Sequence, residues 1–116
     1  MTNKKILQLE NGVLFLLASI LFVYLGFSIF YFFIFLLLPD VTMIGYLRSP
    51  KFGAKLYNLG HNLVFPVLLI IIYIFTHEAL LLPIAIVWCA HIFMDRMLSY
   101  GLKYPDEFKH THIQNL

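Results

Sequence analysis

Stretches of about 20 predominantly apolar residues follow one another with only short polar turns between them, and about 20 such residues are what a helix needs to cross the hydrocarbon core of a bilayer. The first starts after Lys4 and Lys5 and runs through Val13-Leu14-Phe15-Leu16-Leu17 to Gly26, and the segment after it is apolar again. A basic start before an apolar run also describes a signal peptide. No small-x-small cleavage site leads into a polar region here, so the first helix is expected to be a retained span. The chain is 61% hydrophobic and 12% charged, with a mean hydropathy of +0.86, against about 25% charged residues in an ordinary soluble domain. That composition excludes a water-soluble globule. The 116 residues leave room for about four spans and no second domain.

The turn signals divide the chain into helices over about 6–25, 28–47, 51–75 and 79–101. Gly26-Phe27-Ser28 offers a flexible glycine and a capping hydroxyl. Pro39 should kink the second helix by removing a backbone donor, and Pro50 ends it by disfavouring helical geometry at Ser49. Thr76-His77-Glu78 forms the next connection, and Pro105 stops the last helix, leaving a short polar tail from about 102 to 116. The expectation is an all-α fold: a single domain, 1–116, built as an up-down-up-down four-helix membrane bundle.

All eight Lys and Arg residues (Lys4, Lys5, Arg48, Lys51, Lys55, Arg96, Lys103, Lys109) fall on one side of that arrangement. The positive-inside rule then places both termini in the cytoplasm. A formal charge of +2 supplies no basic stripe for nucleic acid. The one cysteine, Cys89, excludes an intrachain disulfide or a thiolate cluster and reads as core.

Ionisable groups at membrane depth cost a few kcal/mol each on insertion scales, so they are rare without a partner or a task. Counting about 1.5 Å per residue from the cytoplasmic helix ends puts Glu10, Asp40, Asn58 and Asp95 at roughly one level, 9–10 Å in, with His61 and His91 about 15 Å deep. Asn58 and His61 are spaced i, i+3 and His91 and Asp95 i, i+4, so each pair shares a helix face. Carboxylates and imidazoles pointing inward from facing helices are how bundles build metal centres. A nitrogen and oxygen set without sulfur suits a divalent zinc, manganese or iron.

One reading therefore makes His61, His91 and Asp95 metal ligands and Asp40 and Glu10 ligand or general base. Asn58 and Arg96 then face the substrate, Arg96 through a guanidinium suited to phosphate. The corresponding reaction is hydrolysis at the cytoplasmic leaflet. A second reading makes the same groups a hydrogen-bonded network that fixes helix packing, with Tyr46, Tyr57 or Lys55 as partners for some of them and Arg96 snorkelling to the interface. A third, a proton or ion relay, is handicapped because Val67–Phe75 and Ala79–Val87 carry no acidic, basic or histidine residue. The spacing contains neither His-Glu-x-x-His nor a paired Glu-x-x-His.

Other features have plainer readings. His110-Thr111-His112 could fold back and lend His112 to the site, while His77 and Glu78 belong to an exposed outer turn. Phe30-Tyr31-Phe32-Phe33 reads as lipid-facing surface. Gly45, Gly53, Ala54 and Gly60 let the second and third helices approach closely, and a homo-oligomer is compatible with four short helices.

The residues that carry most of this pattern are Leu9-Glu10, Pro39-Asp40-Val-Thr-Met-Ile-Gly45-Tyr46 and Gly53-Ala54-x-x-Tyr57-Asn58-x-x-His61. To these are added Pro66, Trp88-x-x-His91-x-x-x-Asp95-Arg96-x-x-x-Tyr100-Gly101-Leu102-Lys103-Tyr104-Pro105 and Phe108-x-x-Thr111-His112. In these the chain, over about 8–112, resembles an uncharacterised bacterial membrane family known as domain of unknown function 4260. The resemblance implies a small four-helix membrane protein and supplies no reaction. The layout of acids and histidines is also similar, without a motif aligned residue by residue, to membrane-bound metal-dependent hydrolases of the bacterial inner membrane; that likeness is one of analogy.

Overall fold

The computed structural model describes residues 2–98 and Ile113, with the backbone alone at 41–44 and 46. The described residues are helical, with no strand among them: α1 Asn3–Tyr24, α2 Ile29–Leu36, a 3-10 helix Leu38–Leu47, α3 Pro50–His61, α4 Val64–Thr76 and α5 Leu81–Met97. The expected turns appear where their residues call for them. Thr2 caps α1 by accepting from Lys5 N, Gly26 takes φ +89°, and the Ser28 hydroxyl accepts from Phe30 N to start α2. His77, at φ 57°, closes α4 in the left-handed conformation.

Two expected helices are interrupted, and a proline explains each break. The second helix was expected to run with a kink to about 47; instead the α-helix ends at Leu36 and continues as a 3-10 helix. Pro39 has no N–H for the Phe35 carbonyl and disfavours α geometry at Leu38. The chain answers with shorter i→i+3 bonds, such as Asp40 N to Leu37 O at 3.1 Å. The third helix, expected over 51–75, breaks at Asn62 and Leu63, because Pro66 can neither bond to nor clear the carbonyl four residues back, that of Asn62. Asn62 adopts an extended backbone and repairs both ends. Its amide nitrogen donates to Asn58 O at 2.7 Å and Leu59 O at 3.0 Å, and its Oδ1 accepts from Val64 N at 2.9 Å.

Helix α5 is the hub, packed against α1, α2, α4 and the 3-10 helix. Its buried residues, Pro83, Ala85, Ile86, Val87, Ala90, His91 and Ile92, lie all round the helix. Helix α1 offers it a stripe at positions 11, 15, 18 and 22, the i, i+4, i+7, i+11 spacing of one helix face. Gly12 lies against Met97, while Phe22 shares the core with Ile86 and Val87, so α1 and α5 run antiparallel. Phe32 leaves the expected lipid-facing run to join this core, its ring 5.4 Å from that of Phe22; Phe30, Tyr31 and Phe33 stay exposed. Cys89, expected in the core, is half-buried.

The 3-10 helix packs on α3 through small residues: a Cβ placed on Gly45 would lie 3.1 Å from both Gly53 Cα and Leu56 Cβ. This close approach brings Asp40 to the end of α3. The outer faces of α1, α2 and α4 expose large apolar side chains, among them Leu16, Leu17, Ile20, Phe30, Phe33, Ile71, Ile74 and Phe75. Two stretches, Asn3–Tyr24 and Pro50–Thr76, are long and apolar enough to cross a membrane.

Candidate metal centre

Four side chains from three elements meet at one point. Asp40 comes from the 3-10 helix, His61 is the last residue of α3, and His91 and Asp95 lie one turn apart on α5. One potential ligand atom from each lies within 4.8 Å of all the others. His91 Nε2 is 3.0 Å from Asp40 Oδ1 and 3.3 Å from Asp95 Oδ2; His61 Nε2 is 3.3 Å from Asp40 Oδ1 and 3.4 Å from Asp95 Oδ2. The two Nε2 atoms are 3.0 Å apart. A tetrahedral shell with bonds of about 2.0–2.2 Å spaces its ligand atoms roughly 3.3–3.6 Å apart. These separations fall at or just inside that spacing.

The hydrogen-bond chemistry restricts where protons can sit. His61 Nδ1 is 2.9 Å from the Tyr57 carbonyl oxygen, which can only accept, so Nδ1 carries the hydrogen and the Nε2 of a neutral His61 presents its lone pair to the cluster. Two N–H groups cannot face each other across 3.0 Å, so at most one of the two imidazoles can carry a proton on its Nε2. Two ionised carboxylates are then opposed by no more than one imidazolium. A divalent cation fits both this charge balance and the inward lone pairs, and the backbone-anchored Nδ1–H is the orientation metal-ligating histidines adopt.

Surrounding groups hold these four side chains in place. The Tyr57 hydroxyl donates to Asp95 Oδ2 at 2.9 Å, and its ring stacks on His61 with centroids 3.7 Å apart and planes 7° apart. Trp88 Nε1 donates to Gly60 O at 2.6 Å and so ties α5 to α3 one residue before His61. His91 Nδ1 is buried and has no hydrogen-bond partner among the described residues. Access is uneven: the side chains of His91, His61 and Asp95 are 0%, 3% and 16% exposed, whereas that of Asp40 is 38% exposed.

Of the residues singled out in the sequence, Asp40, His61, His91 and Asp95 are brought together, and the expected separation of the imidazoles into a deeper tier disappears. That depth count assumed straight, parallel α-helices, which the 3-10 segment and the break at Asn62 do not provide. Glu10 does not join them. It sits on the exposed face of α1 beside a shallow hollow lined by Ile6, Leu9, Val13 and Leu14, because the helix turns position 11, not 10, toward α5. Asn58 is half-buried, and its carbonyl serves the Asn62 cap. Arg96 is half-buried at the end of α5 and makes no ion pair among the described residues. His110 and His112 lie outside the described residues.

Sequence reasoning had Tyr57 only as a general hydrogen-bonding candidate and gave Trp88 no part. Their signals were present as Tyr57-x-x-x-His61 and Trp88-x-x-His91, the spacings that put neighbours on one helix face. A family model described as domain of unknown function (DUF4260) matches residues 4–116. No curated protein and no solved structure matches the chain.

Proposed function

The chain belongs to the DUF4260 family, and from that premise we propose that it is a small integral membrane protein using a divalent metal, zinc, manganese or iron, to hydrolyse a lipid or lipid-linked phosphate. The observation that carries this reading is the meeting of Asp40, His61, His91 and Asp95 at one point in a chain whose outer surface is apolar. In each of the two long apolar stretches 17% of the most apolar window is buried, which suits helices facing lipid better than core helices of a soluble protein. The bundle has both termini in the cytoplasm, as the basic residues indicate, and bacterial inner membrane is its proposed location.

His61, His91 and Asp95, the three most enclosed groups, hold the metal, leaving Asp40 on the accessible side as general base. Three protein ligands with a position left for water or substrate is the usual catalytic pattern. A divalent ion held there would supply Lewis acidity toward the phosphate and lower the pKa of water enough for hydroxide to form near neutral pH. Asp40 takes a proton from the attacking water, the new P–O bond forms, and the P–O bond to the lipid alcohol breaks. The proton returns to the leaving alkoxide, so that water and the phosphate ester become alcohol and phosphate. Arg96, with Asn58 on the neighbouring helix, is proposed to hold the phosphate.

A second reading, a purely structural network, is favoured by the Tyr57 hydroxyl bond to Asp95, which couples α3 to α5 without a metal. Elemental analysis of protein purified in mild detergent separates the two. The hydrolase reading expects about one divalent ion per chain, a lower melting temperature in chelator, and phosphate release from a lipid phosphate that His91→Ala abolishes. Absence of stoichiometric metal together with unchanged melting in chelator overturns it.

A further inference from the structure

An apolar cavity of about 240 Å³ lies between α2, the 3-10 helix, α3 and α5, lined by Phe35, Leu38, Pro39, Gly60, Ile84 and Trp88. Three of its four walls, the 3-10 helix, α3 and α5, lead to the four-residue cluster. Pro39 precedes Asp40, Gly60 precedes His61, and Ile84 and Trp88 fall on the same stripe of α5 as His91 and Asp95: positions 84, 88, 91 and 95 follow the i, i+4, i+7, i+11 spacing of one helix face. One end of this stripe is therefore purely apolar and the other carries the charge cluster. Of the lining residues, Leu38 belongs to the exposed apolar exterior.

We propose that this cavity is the chain-binding subsite of the enzyme: it takes a single alkyl or prenyl chain of an amphiphile whose anionic head lies at the Asp40, His61, His91, Asp95 cluster. The proposal rests on the hydrolase reading for what happens to the head, and on the cavity for what holds the tail. The volume is below the roughly 300–1,000 Å³ of sites that enclose a drug-sized ligand, which fits one chain and not a two-chain lipid. Apolar walls accept a hydrocarbon without an unpaired polar group, and the one polar atom of Trp88, Nε1, is already committed to Gly60 O.

Trp88 is the chain's only tryptophan and lines the cavity, so its fluorescence reports occupancy. The experiment titrates the full chain, in vesicles of unbrominated phosphatidylcholine, with an alkyl phosphate brominated in mid-chain and separately with brominated phosphatidylcholine. The expected result is saturable quenching by the single-chain probe at a mole fraction at least tenfold below that needed with brominated phosphatidylcholine. Filling the cavity with Leu38→Phe and Ile84→Phe together should weaken that quenching at least tenfold. A chain-length series on the unaltered protein gives a check that needs no variant: half-saturation improves with each added carbon until the cavity is full and then stops improving.

Quenching that rises linearly with mole fraction, matches brominated phosphatidylcholine or ignores chain length overturns the proposal, as does saturable quenching that a folded double variant leaves unchanged. The hydrolase reading fails separately. Saturable, variant-sensitive quenching from a protein that releases no phosphate supports the subsite and removes only the reaction.

Discussion

His61 and His91, 30 residues apart in sequence, hold their Nε2 atoms 3.0 Å from each other, with ring centroids 5.0 Å apart and planes at 61°. The Tyr57 carbonyl fixes the hydrogen of His61 on its far nitrogen, so the near nitrogen can only accept or ligate when the ring is neutral. With Asp40 and Asp95 beside them, the pair calls for a shared positive charge, and the following outcomes are expected if that charge is a metal.

Tyr57→Phe removes the hydroxyl that donates to Asp95 Oδ2 and keeps an aromatic ring over His61. Loss of such an orienting partner typically lowers metal affinity about 10–100-fold. Competition against a metal indicator should show that drop, with helical content by circular dichroism unchanged. An unaltered affinity would mean that Asp95 is not a ligand.

Gly45→Ala places a methyl group 3.1 Å from Gly53 Cα and Leu56 Cβ. One of those atoms is α3 backbone, which cannot swing aside, so the 3-10 helix must move away. A stability loss of about 1–3 kcal/mol should appear as a lower melting temperature in detergent. Metal affinity should fall with it, because Asp40 rides on the displaced segment.

Trp88→Phe leaves the Gly60 carbonyl without its indole donor. Stranding a partly buried acceptor costs about 1–3 kcal/mol, while the stack on Phe65 can survive in the smaller ring. Thermal melting measures the loss, and a variant as stable as the parent would show that the bond contributes nothing.

Leu17→Arg tests the membrane reading directly. Leu17 is 58% exposed on α1, and in a soluble protein a surface substitution of this kind stays within about 0.5 kcal/mol. In the middle of a span an arginine costs about 2.5–3.5 kcal/mol on insertion scales. Carbonate extraction of membranes from expressing cells should show a marked loss of integrated protein for Leu17→Arg and little for Lys4→Arg.

Much of the architecture was legible before the structure. Ser28 and Gly26 mark the first turn, His77 the outer one, and the apolar runs mark the helices, because capping, turn geometry and hydrophobic length are written in residues close together. The prolines were legible as disturbances but not in their full effect. Pro39 was expected to kink a continuous helix and instead turns it into a 3-10 helix; Pro66, unremarked as a breaker, splits the third helix at Asn62. Each outcome depends on whether neighbouring side chains can satisfy the freed carbonyls, as Asn62 does for Asn58 and Leu59.

The same division applies to the site. The sequence by itself determined which residue types are out of place in an apolar chain, and that His91 and Asp95 share a face, since both follow from composition and a 3.6-residue period. Only the tertiary structure decided that Asp40 and His61 meet them while Glu10 turns outward. Convergence depends on the rotation of each helix about its axis and on where its backbone breaks. One residue of offset turns a side chain by about 100°, and packing between helices, through contacts such as Gly45 on Gly53, sets that rotation.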